Sequence, residues 1–407
     1  MTSEGGAMSA PTGGLRISGR ARLAVVATIS IILIIISLGM AFYGFNLDQV
    51  EEQVFLVPWG LDVVGYTFFA LTSTGSSIVN SIYTIFGYKG PNGEYERIIK
   101  YGVWFSLATI FPAWLLVLLS LAKPFDFTYI LMFFRPSSRI AWMALLYTIF
   151  ALSLLIELLY MLRSEASERL KKAKWAELAI AILVLSATVA VHTNLGEVFG
   201  SLIAVPGWYG PWLALYFILS AIMLGAAGQM VFILASMPHD SGIRKFFARY
   251  YSTIFIVMIP TYILDFTWIV IAGWYNKAVV WPIYQDLLFG ADAPTFWILE
   301  MLVGLLLPLA LAIASYRTRN VSYGVAAAVM MIIGGFAAKY SLIILPQEFK
   351  PYQFLTLQLA NVTYTPPLGL VIMFTAAVLL WPAVYALGTV IFPLEEGRKP
   401  RHIWFFR

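Results

Sequence analysis

The chain consists of long runs of apolar residues separated by short polar segments. Each run has the roughly 20 mostly apolar residues that an α-helix needs to cross the hydrocarbon core of a membrane. The runs lie at 22–46, 58–87, 99–122, 139–162, 175–203, 210–236, 248–274, 294–315, 320–344 and 367–393. This pattern predicts an all-α polytopic membrane protein with about ten transmembrane helices.

The composition supports a membrane protein without a sizeable soluble domain. Hydrophobic residues make up 60% of the 407 residues and charged residues only 12%, which is far from the composition of soluble domains. We expect a disordered tail over 1–21, one transmembrane domain over 22–393 and a basic tail over 394–407.

The first apolar run follows three arginines, as in a signal peptide, but it exceeds the usual apolar core of such a peptide, so we predict a retained helix. The loops 275–293 and 345–366 are rich in aromatic residues and poor in charge, which favours packing against a partner.

The positions of lysine and arginine predict the orientation, because positive charge is retained on the cytoplasmic side of a membrane. Of the 26 such residues, all but six fall at one set of helix ends. The six exceptions are Lys123, Arg135, Arg139, Lys277, Lys339 and Lys350. We therefore predict a multi-pass protein of the cytoplasmic membrane with both termini in the cytoplasm, and we attribute the net charge of +5 to topology and not to nucleic-acid binding.

The chain has no cysteine and three histidines, which restricts the cofactors it can hold. Without thiolates it cannot bind an all-cysteine iron–sulfur cluster. A bis-histidine haem inside the membrane would need a second intramembrane histidine, and His192 is the only one, since His239 and His402 fall in predicted cytoplasmic segments. We predict no haem, iron–sulfur cluster or metal in this chain, so any electrons must pass to another subunit.

Ionisable residues inside a membrane span are costly and usually face a cavity, a partner or a ligand. Six of them are predicted to lie in the outer half of the bilayer, on five different helices, and a seventh, Glu157, lies near the inner end of the fourth. The six are Asp62, His192, Glu197, Asp265, Glu300 and Lys339. The densest segment is His192–Glu197, which interrupts an otherwise apolar run.

A polar pocket near one membrane surface, with aromatic residues such as Trp59, Tyr66, Trp208 and Tyr262, suits a quinone or quinol. The two oxygens of such a ring need donors or acceptors, and the ring itself needs an apolar slot. Structural ion pairs, for example Asp265 with Lys339, are an alternative interpretation. A secondary transporter with Asp265, Glu300 and Lys339 as its coupling site is another, although the two halves of the chain show no clear internal repeat.

Several motifs resemble the NrfD/PsrC family of integral membrane subunits. The resemblance is carried by His192-Thr193-Asn194-Leu195-Gly196, then Pro206, Trp208 and Pro211, then Phe217, Ser220-Ala221 and Gly225. The spacing between His192 and Leu195 is one residue shorter than in the family pattern. Further matches are Pro58-Trp59-Gly60-Leu61, Lys123-Pro124, Arg135-Pro136-Ser137-Ser138, Asp265, Glu300 with Pro308, and Tyr364-x-Pro366-Pro367. Together they extend from Pro58 over most of the chain and are most similar to the ten-helix, HybB-like branch.

The resemblance implies a quinol-oxidising membrane anchor of a sulfur or polysulfide reductase. Its implied partners are a ferredoxin-like iron–sulfur subunit and a molybdopterin or tungstopterin catalytic subunit on the outer face, and its substrate is a menaquinone-type quinol. His192, Asp265 and Glu300 would carry protons. The implied quinone-binding residues are Asp62, Tyr66, His192, Asn194, Glu197, Tyr262 and Lys339. The chain departs from the family at Lys339-Tyr340-Ser341, where relatives tend to carry Arg-x-Asn, and lysine lacks the planar fork of arginine.

Two further alternatives stay open within this family. The partner could be a nickel–iron hydrogenase or another molybdenum enzyme, with electrons flowing into the quinone pool. The chain could also be a structural anchor whose quinone site has decayed, which would make it a non-catalytic subunit.

Overall fold

The structure is a computed structural model. It describes residues 19–50, 57–121, 123–165, 167–208, 210, 212–237, 239–277, 279–350, 360–361 and 363–394. The predicted tails therefore lie largely outside the described residues. Gly19 and Arg20 belong to the first helix, and Leu394 follows the last one.

The described part of the chain consists of long helices joined by short connections. The long helices are α1 Gly19–Val50, α2 Leu61–Thr84, α3 Glu94–Leu119, α5 Arg139–Ser164, α7 Lys174–Gly200, α8 Leu213–Ser236, α9 Ser241–Tyr275, α12 Val321–Glu348 and α13 Leu368–Ile391. A π-helix, Thr295–Leu306, continues directly into α11, Leu307–Thr318, and the two together make one further long element. The short elements are a 3₁₀ turn Pro124–Asp126, α4 Phe127–Met132, α6 Glu168–Lys172, α10 Trp281–Phe289, and the antiparallel pair β1 Phe349–Lys350 and β2 Ala360–Asn361.

The prediction of an all-α polytopic architecture is confirmed. Within the described residues, nine helical elements are long and apolar enough to cross a membrane. The element missing from those nine is α2, which has 24 residues but carries many serine and threonine side chains. It lies in the centre of the bundle, so protein and not lipid surrounds its polar groups.

Hydrogen bonds to neighbouring helices satisfy several of the polar side chains of α2. Ser73 donates to the Ser106 carbonyl on α3 at 2.7 Å, and the Gln229 amide on α8 donates to Asn80 Oδ1 at 2.8 Å. The Tyr251 hydroxyl on α9 donates to Gln229 Oε1 at 2.8 Å. Since a buried polar group without a partner is costly in a membrane, this network fixes α2 among α3, α8 and α9.

The helix α1 lies at the periphery of the bundle and packs chiefly along α13. Its other side exposes large apolar side chains such as Ile29, Ile35 and Phe42. A continuous exposed apolar surface of this kind suits contact with lipid acyl chains.

Candidate functional site

The π-helix places Glu300 inside the bundle. A run of 12 π-helical residues is unusual, because π-turns are rare and are frequent at functional sites. The element packs closely on α12, since a Cβ added at Gly304 would meet Gly334 Cα at 2.9 Å. The Glu300 side chain is buried, and its carboxyl group interacts with the Ser341 side chain of α12. Within the described part of the chain, Glu300 Oε1 finds no hydrogen-bond partner.

Lys339 of α12 faces Glu300 across the same region of the bundle. Its side chain is 1% exposed, and its Nζ lies 4.2 Å from the centroid of the Tyr216 ring, a distance suited to a cation–π interaction. The Nζ has no hydrogen-bond partner among the residues that the structure describes. The Tyr262 hydroxyl donates to the Tyr216 hydroxyl at 2.7 Å, so α8 and α9 together hold the ring on which the lysine rests.

Asp265 of α9 completes a group of three ionisable side chains with unpaired buried atoms. The residue is half-buried, and no described residue hydrogen-bonds to its Oδ2. Asp265 and Glu300 both interact electrostatically with Tyr216 and Tyr262. Because buried polar atoms are almost always hydrogen-bonded in proteins, three such atoms in one region indicate a place for water or for a ligand.

A cavity of about 30 Å³ is lined by Glu300 and Lys339, and Asp265 is the residue before its lining residue Phe266. It has room for about two water molecules, given that one needs roughly 10–15 Å³ by this measure. The lining is mostly apolar and includes Met223, Met301 and Met331 as well as Tyr262, Glu300 and Lys339. Methionine side chains are flexible and adapt to new shapes, so the cavity can widen without movement of the helices.

The cavity lies close to the lipid-facing surface between α9 and the π-helix. Phe266 of α9 and Phe296 of the π-helix line it and form a ring pair with centroids 5.3 Å apart. Beside them, Leu264 is 70% exposed and Trp297 49% exposed. A ligand with an apolar tail could therefore reach the cavity between these two elements by displacing the phenylalanine pair.

His192 lies elsewhere, at the contact between α7 and α2. Its side chain is fully buried, with Nδ1 2.8 Å from the Thr188 carbonyl and Nε2 3.1 Å from the Thr74 hydroxyl. A carbonyl oxygen can only accept, so Nδ1 donates to it, and in the neutral ring Nε2 is an acceptor that faces the Thr74 hydroxyl, whose single proton also lies within reach of the Ala70 carbonyl at 2.8 Å. Both ring nitrogens are thus engaged with protein groups.

Asn194 and Glu197 point away from His192, toward α5. The Asn194 amide donates to the Arg139 carbonyl at 3.0 Å, and Glu197 is exposed and lies 3.8 Å from Arg139. The expected pocket that would gather these residues with Asp265, Glu300 and Lys339 is therefore divided in the structure. Tyr262, Glu300 and Lys339 line the cavity, and Asp265 is the residue before the lining residue Phe266, whereas Asn194 and Glu197 contact the start of α5.

Asp62 and Tyr66 lie on the first two turns of α2. Asp62 is buried, and the Tyr66 ring is 6.0 Å from the Tyr147 ring of α5. Nearby, Trp59 stacks on Trp208 with centroids 5.1 Å apart. These residues form the side of the bundle that also contains His192.

Sequence reasoning missed three contributors to these two regions. The Tyr216 ring contacts the Lys339 ammonium group, and the Thr74 hydroxyl contacts His192. Gln347 fixes the segment before α2, because its side-chain amide donates to the Trp59 carbonyl at 2.9 Å and accepts from the Trp59 backbone amide at 3.1 Å. A polar residue within an apolar run was the available signal for Thr74. Gln347 gave none, because it lies beyond the predicted run 320–344, although α12 extends to Glu348. Tyr216 gave none, because tyrosine is common in membrane spans.

Comparison with known proteins gives one family and several relatives. The family model described as "Polysulphide reductase, NrfD" matches residues 49–351. The chain is 22% identical over 332 residues to a selenate reductase subunit of Mesobacillus selenatarsenatis, covering 72% of this chain and 75% of that relative. It is 23% identical over 385 residues to the "Hdr-like menaquinol oxidoreductase integral membrane subunit" of Archaeoglobus fulgidus, covering 89% and 92%. It is also 26% identical over 325 residues to a membrane subunit of a putative dimethyl sulfoxide reductase of Halobacterium salinarum, covering 74% and 72%.

Proposed function

From the premise that this chain belongs to the polysulphide reductase NrfD family, we propose that it is the quinol-oxidising membrane subunit of a respiratory oxidoreductase complex. Two of its relatives are named as membrane subunits of reductases or oxidoreductases, and one of those names includes menaquinol. Family membership does not favour the transporter alternative.

The observation that carries the proposal is the group of unpaired buried atoms at the cavity and beside it. Among the described residues, Asp265 Oδ2, Glu300 Oε1 and Lys339 Nζ find no hydrogen-bond partner. A quinol head group supplies what they lack, because its hydroxyls can donate to a carboxylate and its oxygens can accept from an ammonium group. The apolar lining suits the ring.

Each residue then has a defined task. Oxidation of a quinol releases two electrons and two protons, and the carboxyl groups of Glu300 and Asp265 are placed to accept the protons. Lys339 donates a hydrogen bond to a ring oxygen and, as a cation, favours negative charge that develops there. The electrons leave this chain for an iron–sulfur subunit of the complex.

The size of the cavity limits how the substrate enters. A volume of about 30 Å³ is too small for a quinone ring, so binding requires the methionine side chains and the Phe266–Phe296 pair to move aside. The ring would then lie against the Tyr216–Tyr262 pair, with its tail directed between α9 and the π-helix into the lipid.

His192 stays a proposed proton-carrying residue. The proposed quinone-binding residues near it, on the other side of α2 from the cavity, are Asp62, Tyr66, Asn194 and Glu197. For His192 to reach a quinone, its ring must exchange the Thr74 hydroxyl for a quinone oxygen. If His192→Ala leaves the quinol oxidation rate unchanged in a stable complex, His192 has no catalytic role.

The assembly is proposed as well. The proposed complex is a sulfur or polysulfide reductase with an outer iron–sulfur subunit and a molybdopterin or tungstopterin subunit. Its substrate is a menaquinone-type quinol. This chain lies in the cell membrane, with both termini on the cytoplasmic side. A nickel–iron hydrogenase would use the same membrane site with electrons flowing in the opposite direction. Metal analysis of the purified complex separates them, because nickel indicates the hydrogenase.

The experiment that tests the site compares two buried acids. In the purified complex, Glu300→Gln should lower oxidation of a soluble menaquinol analogue by about 10²-fold or more, as expected for loss of a proton acceptor. Glu157→Gln is the matched control, because Glu157 is also buried but lies on α5 outside the cavity. Activity of the catalytic subunit with a reduced dye should stay the same in both variants. Equal quinol oxidation by Glu300→Gln and the control would overturn the assignment.

A further inference from the structure

A second, larger cavity lies at the opposite end of the bundle and is independent of the proposed quinol site. Its volume is about 790 Å³. It is bordered by the start of α1 and α3, the end of α8 and α13, and the segment that leads into α9. These are the helix ends at which lysine and arginine concentrate, so the cavity lies at the membrane boundary on the predicted cytoplasmic side.

The mouth of this cavity carries cationic and hydroxyl groups. Arg22 of α1 is exposed there, and Arg97 of α3 pairs with Asp240 at 2.6 Å. Asp240 is the N-cap of α9, where its Oδ1 accepts from the Ile243 amide at 2.9 Å. The hydrogen bond from this amide, and to a smaller extent the Arg97 guanidinium, holds the pKa of the Asp240 carboxyl group below its usual value. The negative charge of the Asp240 carboxylate therefore compensates the positive charge of Arg97.

Arg22 therefore contributes an unbalanced positive charge among the lining residues, and Arg97 keeps guanidinium N–H groups beyond the one that Asp240 uses. Other polar side chains in the lining are Tyr101, Ser236, His239 and Thr389. The Ser236 hydroxyl reaches the Tyr385 hydroxyl at 3.3 Å, which closes the polar part of the cavity between α8 and α13.

Deeper in the cavity the lining becomes apolar. Val26 of α1, Val231 and Phe232 of α8, and Pro382 and Ala386 of α13 lie one to three turns further into the bundle. The adjoining side of α1 exposes Val25 and Ile29. A site that is cationic at the membrane boundary and apolar toward the membrane interior matches the two ends of a phospholipid.

We propose that this cavity binds an anionic phospholipid, with its phosphate at Arg22 and Arg97 and its acyl chains along α1 and α13. A bound lipid would join α1 to α3, α8 and α13. Because α1 otherwise packs chiefly along α13, the lipid would hold this peripheral helix in place.

The test uses native mass spectrometry of the complex in detergent, titrated separately with phosphatidylglycerol and phosphatidylcholine. Wild-type protein should retain one phosphatidylglycerol with at least about tenfold preference over phosphatidylcholine. Arg22→Gln should lower the affinity for phosphatidylglycerol about tenfold, and Arg22→Lys should restore most of it, since a phosphate accepts a point charge. Ala386→Trp should weaken binding about tenfold by occupying part of the apolar region without changing the charge.

Arg163→Gln is the matched control, because Arg163 ends α5 on the same side of the bundle and does not line the cavity. Its lipid binding should equal that of wild type. Equal retention of the two lipids, or wild-type binding by both Arg22→Gln and Ala386→Trp, would overturn the proposal. Displacement of the lipid by millimolar inorganic phosphate would instead identify a site for a soluble phosphate and would likewise contradict it.

Discussion

At the scale of single residues, the direction of each side chain around its helix decides which polar residues can act together. Consecutive residues of an α-helix are about 100° apart, so Asn194 and Glu197 lie about 200° and 140° around α7 from His192. His192 consequently faces α2, while the other two face α5. The sequence shows that the segment is polar, but helical geometry separates its members into two environments.

Lys339 is the residue whose removal should affect the proposed quinol site most specifically. Lys339→Met keeps much of the side-chain volume and removes the charge, so it should lower kcat/KM for quinol oxidation about 10- to 100-fold, in line with about 1.5–3 kcal/mol for a hydrogen bond to a charged group. Steady-state kinetics with a soluble menaquinol analogue measure this. Unchanged kcat/KM would show that Lys339 only packs on Tyr216.

The contact between Thr74 and His192 should be important for stability. Thr74→Val removes the hydroxyl that contacts Nε2 at 3.1 Å, and leaving a buried nitrogen unpaired costs about 1–3 kcal/mol. The thermal unfolding temperature should therefore fall by several degrees. Thr72→Val is the control, since Thr72 is equally buried but bonds only to the Phe68 carbonyl of its own helix at 2.8 Å. Equal effects of the two substitutions would argue against a specific role for the pair.

At the scale of elements, the runs of apolar residues predicted the long helices well, but they predicted the first and last residues of these helices less well. The sequence placed the third helix at 99–122, whereas α3 begins at Glu94, because its charged first turn resembles a loop. The loop predicted over 275–293 contains α10, which is too short for an apolar run. The π-helix around Glu300 could not be predicted, since its hydrogen-bond pattern depends on packing against α12 and not on local composition.

The crossing of α2 and α8 depends on two glycines. A Cβ added at Gly225 would lie 2.1 Å from the Ser76 amide nitrogen, and one at Gly75 would lie 1.7 Å from the Ala221 carbonyl oxygen. Small residues permit such close backbone approach in membrane bundles. Gly225→Val should therefore abolish recovery of monodisperse protein in size-exclusion chromatography.

Gly39→Val is the control for this crossing, because nothing lies within 4 Å of a Cβ added at Gly39 on α1. Its yield and elution profile should match those of wild type. A normal yield for Gly225→Val would mean that α2 and α8 are further apart than the structure places them.

At the scale of the whole molecule, the charge distribution predicts which face of the bundle meets the cytoplasm. The absence of cysteine makes this directly measurable with single-cysteine variants. Phe86, 78% exposed, and Phe125, 92% exposed, lie beyond the two ends of α3. In intact cells a membrane-impermeant maleimide should label Phe125→Cys, whereas Phe86→Cys should react only after permeabilisation. The reverse pattern would invert the topology.

The central claim is that the cavity at Glu300 and Lys339 receives the quinol head group. Photolabelling of the complex with an azido-quinone, followed by peptide mapping, tests this most directly. We expect adducts on the π-helix Thr295–Leu306 and on α9 near Tyr262, and their loss in Lys339→Met. Adducts confined to α2 and α7 around His192, with none on the π-helix, would contradict it.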